Sequence, residues 1–166
     1  MEYQKMRRKK QELSQEDVAA VIARNDYGVL SLCGDDGMPY GVPLNYVYEN
    51  GSFYFHCATD GYKLALMAEN SKASFCIVDQ STVVPETFST DYISVVAFGT
   101  VSKIEDDQEK RRTLVLLADI LGIDDEESKR GEIESAYQRT EMLCFRVEHV
   151  TGKCSLSVMK NPERFF

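Results

Sequence analysis

Asn50-Gly51 is the strongest local constraint in this chain. An Asn-Gly pair adopts left-handed backbone at little cost and makes the tight turn that joins two antiparallel strands. On its far side, Phe53, Phe55 and Cys57 alternate with Tyr54, His56 and Ala58. That period of two marks a half-buried strand. From Gly61 the period lengthens, with Leu64, Met67 and Ala68 at helical spacing until Asn70-Ser71 closes the segment. The order is strand, turn, then a helix with Lys63 in its first turn. A helix start has unpaired N–H groups and a partial positive charge that favour an anion, and Lys63 adds a full charge. The same residues also admit a plain surface helix capped by Thr59 or Asp60, with Lys63 in water.

The rest of the chain surrounds this unit with more strands. Ser14 precedes Gln15-Glu16-Asp17 in a capping pattern, and Val18, Val21 and Ile22 form one apolar stripe, which predicts a helix over 14–25. Residues 27–33 read as a strand, Gly34-Asp35-Asp36-Gly37 as a turn, and 38–48 as a second strand. Pro43 inside it marks an edge, a bulge or a place where pairing stops, because proline has no N–H to donate. Strands are expected over 53–58, 73–78, 92–104 and 142–150, with a loop over 79–90. Gly99 signals a bulge or bend. Asp106 and Asp107 cap a helix whose apolar side carries Leu114, Leu117, Ala118 and Leu121, ending at Gly122. A charged helix follows over about 126–137. Thr151-Gly152-Lys153 reads as a break, and 154–158 as a last extended piece.

Six strands joined mainly by hairpins predict a mainly β, α+β fold, a six-stranded antiparallel barrel with helical additions. At 166 residues, with 43% hydrophobic and 28% charged, one domain over 1–166 is expected. Its parts are helix 14–25, barrel strands 27–104 and 142–158, and a helical insertion 107–137. The net charge of −8 argues against general nucleic-acid binding. No apolar run reaches the length of a membrane helix, and the basic opening 5–10 leads into Gln11-Glu12 rather than the apolar core of a signal peptide. Five cysteines without a C-x-x-C pair suit reduced thiols in the cytoplasm and argue against structural zinc. Signatures of common hydrolases and nucleotide triphosphatases are absent.

Four stretches follow one another in a recognisable order: Pro39-Tyr40-Gly41-Val42-Pro43-Leu44-Asn45-Tyr46, His56-x-Ala58-x-x-Gly61-x-Lys63, Tyr92-x-Ser94-Val95-x-x-x-Gly99, and Thr151-Gly152-Lys153. Together they resemble the pyridoxamine-phosphate-oxidase-like split-barrel flavoproteins, in particular the nitroimidazole-resistance branch. The resemblance implies a homodimer with two FMN molecules in grooves between the barrels. It implies cofactor contacts from Val42, Pro43, Leu44, Asn45, His56, Cys57, Ala58, Lys63, Ser94, Val95 and Lys153, the last from the partner subunit. His56 is the residue expected to face substrate as donor, acceptor or proton source. The chain lacks tryptophan, and its tail 158–166 holds one arginine, Arg164. The tryptophan- and arginine-bearing motif that grips the vitamin phosphate in the parent oxidases is therefore missing. The branch instead implies reduction of a small electron-poor substrate such as a nitroimidazole, with a transient electron donor. Two alternatives share these residues: a flavin-binding sensor without turnover, and a haem protein with His56 as ligand.

Overall fold

The computed structural model describes residues 3–120, 122, 125–161 and 163. Seven strands form one antiparallel sheet: β1 (Tyr27–Cys33), β2 (Pro39–Asn45), β3 (Val47–Glu49), β4 (Ser52–Ala58), β5 (Lys72–Val84), β6 (Ser89–Lys103) and β7 (Thr140–Cys154). Their spatial order is β2-β1-β5-β6-β7-β4-β3. The two edge strands, β2 and β3, are separated in sequence by Tyr46 alone. A sheet whose opposite edges are tied by one residue must curl until those edges meet, and the result is a barrel. Tyr46 is buried there, its ring edge-on to Phe53 and Phe75 and its hydroxyl donating to the Ile22 carbonyl at 2.7 Å.

The barrel interior follows from the alternation. Leu30 and Leu32, Phe53 and Phe55, Phe75 and Ile77, Ile93 and Val95, and Leu143 and Phe145 all point inward. Each buried large side chain contributes about 1.5–3 kcal/mol relative to exposure. Helix α1 (Gln15–Arg24), with the capping box at Ser14 and Asp17, adds Val18, Val21 and Ile22 to that core. Helix α3 (Asp107–Ile120) covers the outer face of β3, β4 and β7, where Leu114 and Leu117 meet Tyr54 and Met142, and α4 (Glu126–Ala136) packs on α3. The expected position of Leu121 on that face lies outside the described residues.

Four expectations need correction. The stretch 38–48 is two strands broken at Tyr46, so the sheet has seven strands rather than six. Residues 79–90 are largely not a loop: β5 and β6 stay paired from Gln80↔Ile93 to Val84↔Ser89. This ribbon buries neither face of its outer part, so no alternation betrays it. Thr151-Gly152-Lys153 is not a break, since it pairs with Val96, Val95 and Ser94. Gly152 is there for close packing: a Cβ would lie 2.6 Å from Val18 and 2.8 Å from Leu13. Finally, 154–158 is not extended. Ser155 caps a short helix, α5 (Leu156–Lys160), by accepting from the Val158 N–H at 3.3 Å.

Gly99 does sit at a bulge, where the β6–β7 register shifts after Phe98. A Cβ there would stand 1.9 Å from the Arg146 carbonyl oxygen, a backbone atom that cannot rotate away. Gly99→Ala should therefore fall at the upper end of the about 1–3 kcal/mol cost of overpacking. Denaturant unfolding measures it, and an unchanged midpoint would contradict the close approach.

Candidate functional site

The two sheet edges meet at Tyr46 and diverge from it. β3 covers β4 only over Ser52–Tyr54, so the edge of β4 from Phe55 to Ala58 faces the free edge of β2 without a strand between them. The split is bounded by those two edges. Its open end is closed by the start of α2 (Tyr62–Glu69), where the Tyr62 ring meets Tyr40 of β2 edge-on with centroids 5.1 Å apart.

Hydrogen-bond parity decides which backbone groups the split receives. The Tyr46 N–H donates to the Asp26 carbonyl at 2.9 Å. Bonded and non-bonded pairs alternate along an antiparallel ladder. Leu44 and Val42 therefore bond to β1, while Asn45, Pro43 and Gly41 direct their backbone groups outward, away from β1. Pro43 occupies a position whose missing N–H costs no ladder bond, so pairing runs unbroken through Val29↔Pro43. Of the positions offered for Pro43, the edge is the observed one. On the other side, the Val147 N–H donates to the Gly51 carbonyl at 3.1 Å. By the same alternation His56 and Ala58 turn their N–H and C=O groups into the split.

The side chains sort by the same parity. Pro43, Asn45, His56 and Ala58 are exposed, and Asn45 Nδ2 donates to the Asp26 carbonyl at 3.2 Å. Val42 and Leu44 are half-buried and pack on the barrel core. Cys57 is buried in that core, and burial pushes its thiol pKa up. Val95 is wholly buried and its backbone serves the β5–β6–β7 ladder. Only the outward residues of each strand present side chains to the split.

Lys63 is half-buried at the second position of α2. The cap is Gly61, at φ 134°, with no capping side chain, so neither Thr59 nor Asp60 occupies the helix start. Among the described residues no carboxylate pairs with Lys63. Its charge reaches His56: packing around the imidazole, and then Lys63, lower the histidine pKa from 6.5. The pair joins a positive charge to a neutral, exposed imidazole at the mouth of a groove with free backbone donors and acceptors.

Ser94 and Lys153 lie elsewhere. They are cross-strand neighbours on β6 and β7, and the Lys153 ammonium stands 5.6 Å from the Tyr92 ring centroid. Met142, the partner of His56, is eleven positions from Lys153 along β7, roughly 35 Å at strand rise. One chain therefore sets Lys63 beside His56 and Ala58, while Pro43 and Asn45 run along the facing β2 edge, and Ser94 and Lys153 lie three and four strands across the sheet from β2. The sequence reading passed over Gly41 and the Tyr40–Tyr62 pair. The outward parity of Gly41 was readable only once the Tyr46 pivot fixed the register.

A family profile described as pyridoxamine 5'-phosphate oxidase matches residues 14–154. The chain belongs to the pyridoxamine 5'-phosphate oxidase family. Among solved structures it is similar to a candidate 5-nitroimidazole antibiotic resistance protein from Bacteroides thetaiotaomicron, with 24% identity and a TM-score of 0.72 over 86% of each chain. An FAD and haem binding protein from Mycobacterium smegmatis shares 19% identity at a TM-score of 0.69, covering 89% of this chain and 74% of that one. The haem storage protein HutZ from Vibrio cholerae shares 12% at 0.65, covering 84% and 94%. At these identities the likeness establishes the family's split-barrel fold. A search of curated proteins gave no match. Among the described residues no helix is long and apolar enough to cross a membrane.

The split has a pH signature at His56. His56 has a folded pKa below its unfolded 6.5, so the unfolded chain takes up that proton first. Its stabilising contribution is present above about pH 6.5 and is lost as pH falls through the folded value. Lys63→Ala removes only the second cause, so the His56 pKa should rise toward 6.5 without reaching it. NMR titration of the imidazole checks this; a pKa unmoved by the substitution would separate the two residues.

Proposed function

We propose that this chain binds FMN in the split and, as a homodimer, reduces small electron-poor substrates of the nitroaromatic, 5-nitroimidazole type. The observation that carries the reading is Lys63: a half-buried lysine with no carboxylate partner among the described residues, at a helix start without a capping side chain, beside a groove with free backbone groups. Residue chemistry fits the cofactor. The Tyr62 and Lys63 N–H groups at the start of α2, together with the Lys63 ammonium, suit a phosphate dianion, while the Leu64 and Ala65 N–H groups already donate to the Gly61 carbonyl. The Gly41 and Asn45 N–H groups, the Pro43 carbonyl, and the backbone of His56 and Ala58 suit the polar edge of a flavin ring.

FMN, when bound, supplies the two-electron redox chemistry, and the protein sets access and orientation. His56, neutral at pH 7, donates or accepts one hydrogen bond to substrate and holds a proton at the groove mouth. Val42 and Leu44 fix β2 to the core, so that its free edge keeps its spacing. The separation between Lys63 and Lys153 supports the homodimer: if Ser94 and Lys153 serve the same flavin, a second subunit must bring them. Five free thiols fit a reducing cytoplasm. The exposed neutral imidazole also favours a second reading, haem ligated by His56 in the same groove.

Absorbance and the mass of the cofactor released from purified protein decide between flavin and haem. Flavin bands with the FMN mass are expected, and a Soret band would replace the first reading with the second. Anaerobic reoxidation of the reduced protein by 5-nitroimidazoles then tests turnover, whose absence would leave a flavin-binding sensor.

Two further outcomes follow from the geometry. Hydrogen bonds to charged groups contribute about 1.5–3 kcal/mol, so Lys63→Ala should weaken FMN roughly ten- to two-hundred-fold while riboflavin, lacking the phosphate, changes little. Titration of both ligands into apo-protein measures it; equal losses would mean damage to the fold. Light scattering of the flavin-loaded protein should give twice the 18.8 kDa chain mass, and a flavin-loaded monomer would end the shared-groove reading.

A further inference from the structure

The basic opening of the chain has no part in the groove. Lys5, Arg7, Arg8, Lys9 and Lys10 are five of the chain's 19 lysines and arginines, set within six positions of a protein with net charge −8. All five are exposed. The segment is nevertheless tied down. A 3-10 turn spans Lys9–Gln11, Gln11 is buried, the Glu12 backbone makes an isolated antiparallel bridge with the Lys153 backbone of β7, and the Leu13 N–H donates to the Gly152 carbonyl at 3.0 Å. Among the described residues none of the five cations pairs with a carboxylate. Arg8 donates to Gln11 Oε1 at 3.4 Å.

Like charges held on fixed backbone repel one another, and an anionic partner removes that cost. Arg7, Arg8, Lys9 and Lys10 line a shallow cavity of about 630 Å³ together with Leu156 of α5, which is 51% exposed. An apolar side chain beside four cations combines the apolar and charged character of a protein docking surface. The rest of the chain is net acidic, so a negative protein partner is favoured at this patch over most of the remaining surface. A long nucleic acid would run onto that acidic surface. A lipid surface would need a longer amphipathic helix than the five residues of α5.

We propose that the residue 5–10 patch docks an acidic electron-carrier protein that reduces the flavin. The docking stands on the patch itself, and the electron step rests on the flavin reading above. Two reduced one-electron carriers would each be oxidised by one electron, and FMN would take up the two electrons with two protons from water. Glu12 and Lys153 tie the patch to the strand end that carries the second subunit's proposed flavin contacts, so a carrier docked there stands beside the partner's groove.

The test uses the full-length protein and a reduced acidic ferredoxin as probe, with flavin reduction followed by stopped flow. The rate should fall steeply with added salt. A variant carrying Arg7→Glu, Arg8→Glu and Lys10→Glu should be at least tenfold slower at low salt and lose the salt dependence. Its flavin content and its photochemical reduction should match wild type. A wild-type rate indifferent to salt, or an unaffected variant, overturns the proposal, as does binding of anionic vesicles in place of ferredoxin. Calorimetric titration of oxidised ferredoxin into wild type and variant keeps the docking testable if the protein holds no flavin: saturable binding lost in the variant supports it, and no binding overturns it.

Discussion

Tyr46 is the residue on which the architecture turns. It alone separates the strands at opposite ends of a seven-stranded sheet, so the sheet has to curl, and burial of the tyrosine holds it curled. The phenol is nearly enclosed, and burial keeps its pKa raised, so the hydroxyl remains a donor to the Ile22 carbonyl at every ordinary pH. That one bond ties the barrel seam to α1. Phe53 and Phe75 pack against the same ring from β4 and β5. A barrel closed at one point and open beyond it exposes backbone donors without any strand having to be broken.

The split also explains why proline, histidine and lysine stand where they do. Pro43 sits where its missing N–H faces the open edge, and it blunts that edge against pairing with another strand. His56 and Ala58 are the outward positions at the end of β4, beyond the reach of β3. Lys63 follows after a glycine whose φ of 134° few other residues adopt. The glycine turns the chain from strand to helix so that the helix start points at the same opening. Charge, free backbone and an imidazole come together through geometry set by burial elsewhere.

Much of this was legible in the sequence because it is local. The Asn50-Gly51 turn, the Phe53/Phe55/Cys57 alternation and the switch of period after Gly61 each constrain neighbouring residues, and each has its counterpart in the fold. What escaped was non-local or two-sided. The outer β5–β6 ribbon is exposed on both faces, so Thr82 and Val83 carry no pattern. Gly152 reads as a break because glycine usually is one, yet here it makes room for Leu13 and Val18. Among the site residues, parity explains the inward turn of Cys57 and Val95, but parity is fixed only when the register is known.

The far placement of Lys153 follows from the same strand that places His56. β7 is fifteen residues long, and its two ends serve opposite ends of the barrel: Met142 lies beside His56, and Lys153 beside Ser94. A single chain cannot fold β7 back on itself without breaking the ladder with β6, which is paired along nearly its whole length. In the proposed homodimer a ligand could reach both ends, because a two-fold axis makes two chains run past each other in opposite directions. Such an axis would duplicate the groove and bring the end of each β7 to the other chain's α2. The length of that strand is thus what motivates the proposed homodimer.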